Sequence, residues 1–210
     1  MPAETTPGRL IVIEGLDGVG KSTLVRSLCA ALPARADSTP GPALRGVRAA
    51  LEDELSASRV ARSLCYGTTV IAAAARAAAD LATGLDVVMD RYWLSTWVHA
   101  PVEAQPALRA MAPLVAAPSC TLFLRLPLHA RRARLAARGL TDEDARTLLA
   151  HDALEAAYLA LRAHPAAGRF VEIDAGQPPE SVLADCLAAV AAPAARVQAD
   201  GHAAALRRAG

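Results

Sequence analysis

Short continuous apolar runs alternate along this chain with longer stretches in which apolar residues recur at helical spacing. The runs predict four buried strands at 9–14, 85–90, 119–126 and 169–174, with a weaker fifth at 35–38. The stretches between them predict helices at 21–32, 43–57, 60–82, 93–100, 103–116, 128–138, 142–163 and 179–192. Strands that alternate with helices indicate an α/β fold in which helices cover both faces of a parallel sheet.

The composition fits a single domain, with 210 residues, a net charge of +1 and 53% hydrophobic residues. We expect residues 1–8 to form a flexible lead-in, 9–192 to form the domain, and 193–210 to be an Ala/Arg-rich tail that is either a frayed helix or disordered. The near-neutral charge predicts no nucleic-acid partner, and no apolar run is long enough to span a membrane. Four scattered cysteines without metal-ligand spacing favour reduced thiols in the cytoplasm.

The segment 15–22, Gly-Leu-Asp-Gly-Val-Gly-Lys-Ser, joins the first predicted strand to the first helix. The pattern Gly-x-x-x-x-Gly-Lys-Ser at such a turn predicts a phosphate-binding loop (P-loop), in which main-chain N–H groups wrap phosphates. Lys21 is the only lysine among 22 basic residues, and a compact ammonium fits where a planar guanidinium does not. We expect Ser22 to ligate Mg²⁺. The residues expected to bind ATP here are Gly15, Gly18, Val19, Gly20, Lys21, Ser22 and Thr23.

Asp90 and Arg91 stand at the end of the strand predicted at 85–90. Ligands bind at the carboxyl ends of strands in open α/β sheets. Asp90 can complete a Mg²⁺ shell or accept a proton there, and Arg91 can clamp a second phosphate. The pair could also be an ordinary surface ion pair. Beside a P-loop, however, it favours phosphoryl transfer between two phosphorylated molecules.

An arginine-rich stretch without acids follows the fourth strand, and its members are Arg125, Arg131, Arg132, Arg134 and Arg138. Positions 131, 134 and 138 share one helix face. Because such guanidiniums repel one another unless an anion binds among them, we expect a lid at about 129–145 that closes over ATP. Arg132, Arg134 and Arg138 are its candidate catalytic arginines. The alternative is a solvated, arginine-rich helix.

Aromatic residues are few, and Tyr92, Trp93 and Trp97 lie close together. A flat nucleotide base needs a stacking partner. At helical spacing, Trp97 is expected to pack in the core. The sequence leaves two alternatives for Tyr66, which either packs in the core or stacks on a nucleotide base. We count it among the candidate substrate residues.

These residues resemble those of the thymidylate kinase family of P-loop nucleoside monophosphate kinases. The similar stretches are 11–23, 84–95, 152–158 and 172–176, which together span residues 9 to about 190. The stretch 93–96 is more similar to the mitochondrial UMP–CMP kinase branch of that family. The resemblance implies a three-layer P-loop NTPase fold with a five-stranded parallel sheet and a lid. It also implies ATP with Mg²⁺ as donor, a nucleoside monophosphate acceptor and a homodimer.

The resemblance assigns roles to single residues. Asp17 would hydrogen-bond the 3′-hydroxyl of the acceptor sugar, and Arg91 would hold the acceptor phosphate. Ala175 and Gly176 would lie beside the donor adenine. Some family members carry a catalytic arginine at the position of Gly18. Its absence here is similar to the type that supplies this arginine from the lid.

Three departures from the family pattern all lie on the acceptor side. The family's Arg-Glu-Pro-Gly segment is Ser-Thr-Pro-Gly at 38–41, so Arg45 or Arg48 would have to replace its phosphate-binding arginine. The family's base-reading arginine falls near Thr69, and its Tyr-Gln pair becomes His-Ala at 99–100. Since unmade hydrogen bonds to a base are costly, these changes favour an altered acceptor, such as a modified or different pyrimidine nucleotide.

The sequence therefore predicts an ATP-dependent kinase of pyrimidine nucleoside monophosphates, similar to thymidylate kinase. One alternative is a kinase for a nucleoside or another small hydroxyl acceptor, in which Asp90 or Glu14 would act as a base. Another is a nucleotide-binding regulatory protein whose acceptor pocket has decayed.

Overall fold

Five parallel strands form one sheet in the computed structural model, which describes residues 6–44 and 46–192. The strands are β1 (Leu10–Gly15), β2 (Ala34–Ser38), β3 (Asp86–Asp90), β4 (Cys120–Arg125) and β5 (Arg169–Asp174). They lie in the order β2-β3-β1-β4-β5. The predicted parallel sheet is confirmed, and each strand end lies within one residue of its predicted position.

Helices connect the strands and flank the sheet. They are α1 (Lys21–Ala31), α2 (Arg48–Glu54), α3 (Arg59–Ala82), α4 (Trp93–Val98), α5 (Gln105–Met111), α6 (Leu128–Arg138), α7 (Asp142–Leu149), α8 (His151–Ala160) and α9 (Pro179–Ala191). Short 3₁₀ turns occupy 42–44, 102–104, 112–114 and 165–167. Two predicted helices, 43–57 and 103–116, are divided, because Gly46 and Pro113 interrupt them.

The predicted helix 142–163 is also divided, between α7 and α8. The carbonyl of Thr147 accepts a hydrogen bond from the guanidinium of Arg131 (2.9 Å). In a continuous helix that carbonyl would instead bond to the amide of His151. A side chain from α6 therefore supports the break, and the sequence of the segment alone does not reveal it.

Two apolar cores cover the two faces of the sheet. All six residues of β1 are buried, and alternate ones point to opposite faces. Ile11 and Ile13 pack with residues of α1, α8 and α9, whereas Leu10 and Val12 pack with residues of α3, α4 and α5. The helices thus form two layers around the sheet, as the three-layer prediction requires.

Residues 6–8 run beside the end of α3, where the amide of Gly8 donates to the carbonyl of Leu81 (2.8 Å). The predicted tail at 193–210 lies outside the described residues. Within the described ranges, no helix is long and apolar enough to cross a membrane.

The centre of the sheet brings the two predicted motifs together. β1 and β3 are neighbours, with Ile13 paired to Asp90. The loop after β1 and the residues after β3 therefore lie at the same edge of the sheet, at the carboxyl ends of its strands.

Candidate functional site

The P-loop, residues 15–22, turns from β1 into α1 through two left-handed glycines, Gly18 (φ 85°) and Gly20 (φ 106°). A Cβ atom at Gly18 would lie 2.8 Å from the side chain of Leu135, so a larger residue would require Leu135 to shift. In the described part of the chain, the amides of Gly18, Val19 and Gly20 donate to no protein acceptor. These open N–H groups at the start of α1 form a cradle suited to an anion.

Lys21 is the first residue of α1 and is only 7% exposed. Its ammonium donates to the carbonyl of Leu16 (2.8 Å) and lies 3.5 Å from Asp17 Oδ1. Burial and the nearby charge of Arg91 lower the pKa of Lys21 to about 8. The ammonium is thus held at the P-loop, where it can approach donor phosphates.

Ser22 and Asp90 meet across the gap between β1 and β3. The Ser22 hydroxyl donates to Asp90 Oδ2 (2.8 Å). The other carboxylate oxygen, Asp90 Oδ1, is buried and has no hydrogen-bond partner in residues 6–44 and 46–192. A hydroxyl and an unsatisfied carboxylate oxygen are hard ligands of the kind that Mg²⁺ prefers.

Arg91 is the one non-glycine residue in the described ranges with a left-handed backbone (φ 64°). Its amide donates to the carbonyl of Ile13 (3.0 Å), which fixes this turn beside β1. Its guanidinium donates to the Asp17 carboxylate and to Ser95 Oγ (3.1 Å). A left-handed arginine costs conformational energy, and such strain is typical of functional positions.

Asp17 lies between the two cations of the site. Burial alone would raise the pKa of its carboxyl group, but the charges of Arg91 and Lys21 and the Arg91 hydrogen bond lower it well below its ordinary value. Asp17 is therefore ionised and can only accept hydrogen bonds. One carboxylate thus links the lysine of the P-loop to the arginine after β3.

Glu14 is fully buried near the end of β1. Its carboxyl group accepts hydrogen bonds from the amides of Tyr92 (2.9 Å) and Ser95 (3.1 Å) and from the Ser95 hydroxyl. The Ser95 hydroxyl also contacts the Tyr158 hydroxyl (2.9 Å). Burial raises the pKa of Glu14. Glu14 therefore anchors the start of α4, and through Ser95 it also supports Arg91.

Sequence reasoning did not find the roles of Ser95 and Tyr158. A usable signal was present, because Glu14 follows four apolar residues of a buried strand. A buried carboxyl group needs hydrogen-bond donors, and α4 supplies them.

The expectation of five uncompensated arginines after β4 is wrong. Arg125 pairs with Glu155 (2.9 Å) and Glu172 (2.8 Å), and Arg138 pairs with Asp144 (2.7 Å). These acids come from α8, β5 and α7, outside the arginine-rich stretch. Burial also separates the arginines, because Arg131 is 0% exposed while Arg132, Arg134 and Arg138 are exposed.

Two of the predicted lid arginines remain available to a ligand. The side chain of Arg132 makes no hydrogen bond or ion pair with any described residue. Arg134 donates to the carbonyls of Val19 (3.1 Å) and Ala175 (2.9 Å). It thereby connects the P-loop to the loop after β5, where Gly176 donates its amide to Asp174 (2.8 Å). This connection brings the two predicted parts of the ATP site together.

A shallow, open cleft lies between the segment after β2 and helix α3. Its entrance is tied to the end of β3, because Thr39 donates its amide to the carbonyl of Asp90 (3.1 Å) and its hydroxyl to the carbonyl of Arg91 (3.0 Å). We call it the α2–α3 cleft. Its lining residues are Pro40, Leu44, Arg48, Leu51, Glu52, Leu55, Arg62, Cys65, Tyr66 and Thr69.

Tyr66 and Arg48, both predicted substrate residues, meet on one wall of this cleft. Tyr66 donates its hydroxyl to Glu52 Oε1 (2.6 Å), and Arg48 donates Nε to the same oxygen (2.9 Å). The Arg48 guanidinium lies 5.9 Å from the centre of the Tyr66 ring. Glu52, which sequence reasoning missed, therefore neutralises Arg48. Arg45, the other candidate for a second acceptor-phosphate arginine, lies outside the described residues.

Trp97 is partly buried against the core that contains Leu10 and Val12. Its ring faces the imidazole of His164, with 5.9 Å between centroids, and the guanidinium of Arg109 at 5.8 Å. It does not line the α2–α3 cleft, which leaves Tyr66 as the aromatic residue there.

Comparisons with known proteins identify relatives by sequence and by fold. The profile of the family described as Thymidylate kinase matches residues 13–186. A thymidylate kinase of Chromohalobacter salexigens is 34% identical over 202 residues, covering 87% of this chain and 95% of that protein. A thymidylate kinase of Xanthomonas euvesicatoria pv. vesicatoria is 33% identical, covering 96% of this chain and 92% of that protein.

Among solved structures, the fold is similar to that of the thymidylate kinase from Candida albicans. The TM-score is 0.67 at 20% identity, over 88% of this chain and 91% of that one. At this identity the likeness concerns the fold.

Proposed function

Because the chain belongs to the thymidylate kinase family, we propose that it transfers the γ-phosphoryl group of ATP to a pyrimidine nucleoside monophosphate, with dTMP as the first candidate. The observation that carries this proposal is the position of Asp17. Its carboxylate accepts a hydrogen bond from Arg91 and lies 3.5 Å from the Lys21 ammonium. Two phosphate-binding cations next to one carboxylate suit a reaction between two phosphates.

In the proposed reaction, an oxygen of the acceptor phosphate attacks the γ-phosphorus of ATP in line. A new P–O bond forms to the acceptor, the bond to the β-phosphate oxygen breaks, and ADP leaves with that electron pair. The attacking oxygen is already ionised, so positioning and charge neutralisation supply the catalysis. Lys21 and the lid arginines Arg132 and Arg134 would neutralise the developing charge, while Arg91 holds the acceptor; Arg138, also predicted for this role, is paired with Asp144.

Ser22 and Asp90 would hold the Mg²⁺ ion that accompanies ATP. The buried, unpartnered Asp90 Oδ1 and the adjacent Ser22 hydroxyl supply oxygen ligands that suit this ion. When bound, Mg²⁺ would supply positive charge that neutralises the donor phosphates. Because Asp90 and Arg91 are adjacent in the chain, Asp90 would hold this ion close to the acceptor phosphate that Arg91 binds.

The acceptor would extend from Arg91 into the α2–α3 cleft. Tyr66 offers a ring for stacking, and Asp17 would accept a hydrogen bond from the sugar 3′-hydroxyl, as the family resemblance implies. The position of the family's base-reading arginine is near Thr69, which lines the cleft together with Arg62 and Glu52. This changed set of polar groups supports an acceptor that is dTMP or a related or modified pyrimidine nucleotide.

A nucleoside kinase would need a general base, and Glu14 is unsuited to that role. Its carboxyl group is fully buried and already accepts three hydrogen bonds from α4 and the residue before it. Asp90 accepts from Ser22 through one oxygen, and its other oxygen is the one proposed to ligate Mg²⁺. These contacts favour the monophosphate acceptor, whose phosphate Arg91 can bind.

The direct test follows ADP release from MgATP with single acceptors. The acceptors are dTMP, dUMP, dCMP, UMP, CMP and the parent nucleosides, and chromatography identifies each product. We expect diphosphates, with a pyrimidine monophosphate as the best acceptor. Turnover of nucleosides alone would support the hydroxyl-acceptor kinase, and tight ATP binding without any turnover would support the decayed regulatory protein. Sedimentation of the same preparation tests the homodimer that the resemblance implies.

A further inference from the structure

Arg131 is a fully buried arginine directly under the P-loop. It is 0% exposed, and no carboxylate among the described residues lies within ion-pair distance of it. Its Cγ atom is 3.6 Å from the place that a Cβ at Gly18 would occupy. Burying a charge is costly unless hydrogen bonds compensate, so the partners of this guanidinium define its role.

The guanidinium of Arg131 joins two separate segments. Its Nε donates to the main-chain carbonyl of Asp17 (2.7 Å). Its Nη1 and Nη2 donate to the carbonyl (2.9 Å) and the hydroxyl (2.6 Å) of Thr147, and Nη1 lies 3.4 Å from His151 Nδ1. Thr147 belongs to the final part of α7. Arg131 therefore connects the final part of α7 to the P-loop by hydrogen bonds.

Asp17, the P-loop partner of Arg131, is the residue whose side chain meets both proposed phosphate-binding cations. The carbonyl of Asp17 is held by Arg131, while its carboxylate contacts Arg91 and Lys21. The orientation of the Asp17 main chain sets the direction of its carboxylate. A displacement of the carbonyl would thus disturb donor and acceptor sites together.

We infer that Arg131 is a positioning residue that acts through Asp17 and aligns the donor-phosphate and acceptor-phosphate sites as one unit. Its three guanidinium nitrogens all donate to Asp17 and Thr147, so it acts through these residues and not by direct contact with a substrate. The inference rests on the proposed kinase function for its kinetic readout. A purely scaffolding arginine would instead support α7 without influencing the affinity for either nucleotide.

The test uses two variants of different severity. Arg131→Lys keeps the charge, but a single ammonium cannot reach both Asp17 and Thr147 as the forked guanidinium does. Thr147→Val keeps the shape of the residue and removes only the hydroxyl acceptor. The control is Arg146→Ala, which removes an exposed arginine of the same helix that pairs with Glu143 (3.0 Å).

We expect Arg131→Lys to raise the KM for ATP and the KM for the acceptor about tenfold each, the factor for one lost hydrogen bond to a charged group. Thr147→Val should raise both KM values about threefold. Arg146→Ala should change neither KM value. Circular dichroism and the Tm of each variant identify any that fail to fold. Normal KM values in a folded Arg131→Lys, or a change in only one KM, would overturn the inference.

Calorimetric binding of ATP and of dTMP, measured separately, separates this inference from the proposed function. Weakened binding of both nucleotides in Arg131→Lys and Thr147→Val supports the inference even if the unmodified protein transfers no phosphoryl group. Efficient transfer by the unmodified protein with unchanged binding in both variants would leave the kinase function standing and reject the positioning role.

Discussion

The groups proposed to bind the donor phosphates come from one continuous segment, residues 15–22, whereas those that line the α2–α3 cleft come from the segment after β2, from α2 and from α3. The donor side relies on main-chain amides, left-handed glycines and a buried lysine. The acceptor side relies on half-exposed side chains that pair with one another, such as Arg48 with Glu52. A substitution among exposed side chains disturbs a fold less than one at a left-handed glycine.

This difference explains why the departures from the family pattern lie on the acceptor side. In this structure Gly18 and Gly20 have left-handed backbones, and a Cβ at Gly18 would lie 2.8 Å from the side chain of Leu135, so a substitution at Gly18 would be strained. The residues of the α2–α3 cleft face open space and meet few such constraints. Under the proposed function, the donor half would determine the reaction type, and the cleft would determine the choice of acceptor.

The largest effect is expected from Lys21→Ala, which removes the one ammonium of the donor half. Loss of a charge aimed at the transferring phosphate should lower kcat by about 10³-fold, as for the removal of other preorganised donors. Steady-state kinetics measures this loss, and the Tm shows whether the fold is retained. Substantial transfer by a folded Lys21→Ala would mean that the donor half does not bind ATP as described.

A smaller and one-sided effect is expected from Arg91→Ala. Loss of charge-assisted hydrogen bonds to the acceptor phosphate, worth about 2 kcal/mol, should raise the KM of the acceptor roughly 30-fold. The KM of ATP should change by much less, because Lys21 keeps its own contact with the carbonyl of Leu16. Arg91→Lys retains one positive charge, so its acceptor KM should lie between that of the unmodified protein and that of Arg91→Ala.

Measuring the KM of ATP and the KM of the acceptor in Arg91→Ala tests whether the donor side and the acceptor side bind their substrates separately. Equal increases in the two KM values would show that Arg91 contributes to both sides. An unchanged acceptor KM would remove Arg91 from the acceptor site.

The strands and the donor half were predictable because their signals are local. Buried parallel strands are continuous apolar runs, and β1 is buried along its whole length. The P-loop is a continuous motif whose glycines, lysine and serine have fixed positions. Ser22 and Asp90 could be assigned to one place because adjacent parallel strands end at the same edge of the sheet.

The arginines after β4 were misread because their partners are distant in the sequence. Glu155 and Glu172, which neutralise Arg125, arrive through α8 and β5. Helical spacing places Arg131 and Arg134 near each other, but it does not show that Arg131 is buried and Arg134 exposed. The pairing of Tyr66 with Glu52 depends in the same way on how α2 packs against α3.

The smallest effect is expected from a pair of substitutions at Tyr66, which test whether the cleft binds the base by stacking. Tyr66→Ala removes the ring and should raise the acceptor KM about tenfold, within the range for loss of one base–aromatic contact. Tyr66→Phe keeps the ring and loses only the hydrogen bond to Glu52, which still accepts from Arg48 (2.9 Å), so its KM should stay within about twofold. Neither variant should alter the KM of ATP. Equal losses in both would instead identify the Tyr66 hydroxyl and Glu52 as the contact, and no change in either would mean that Tyr66 only packs α3 against α2.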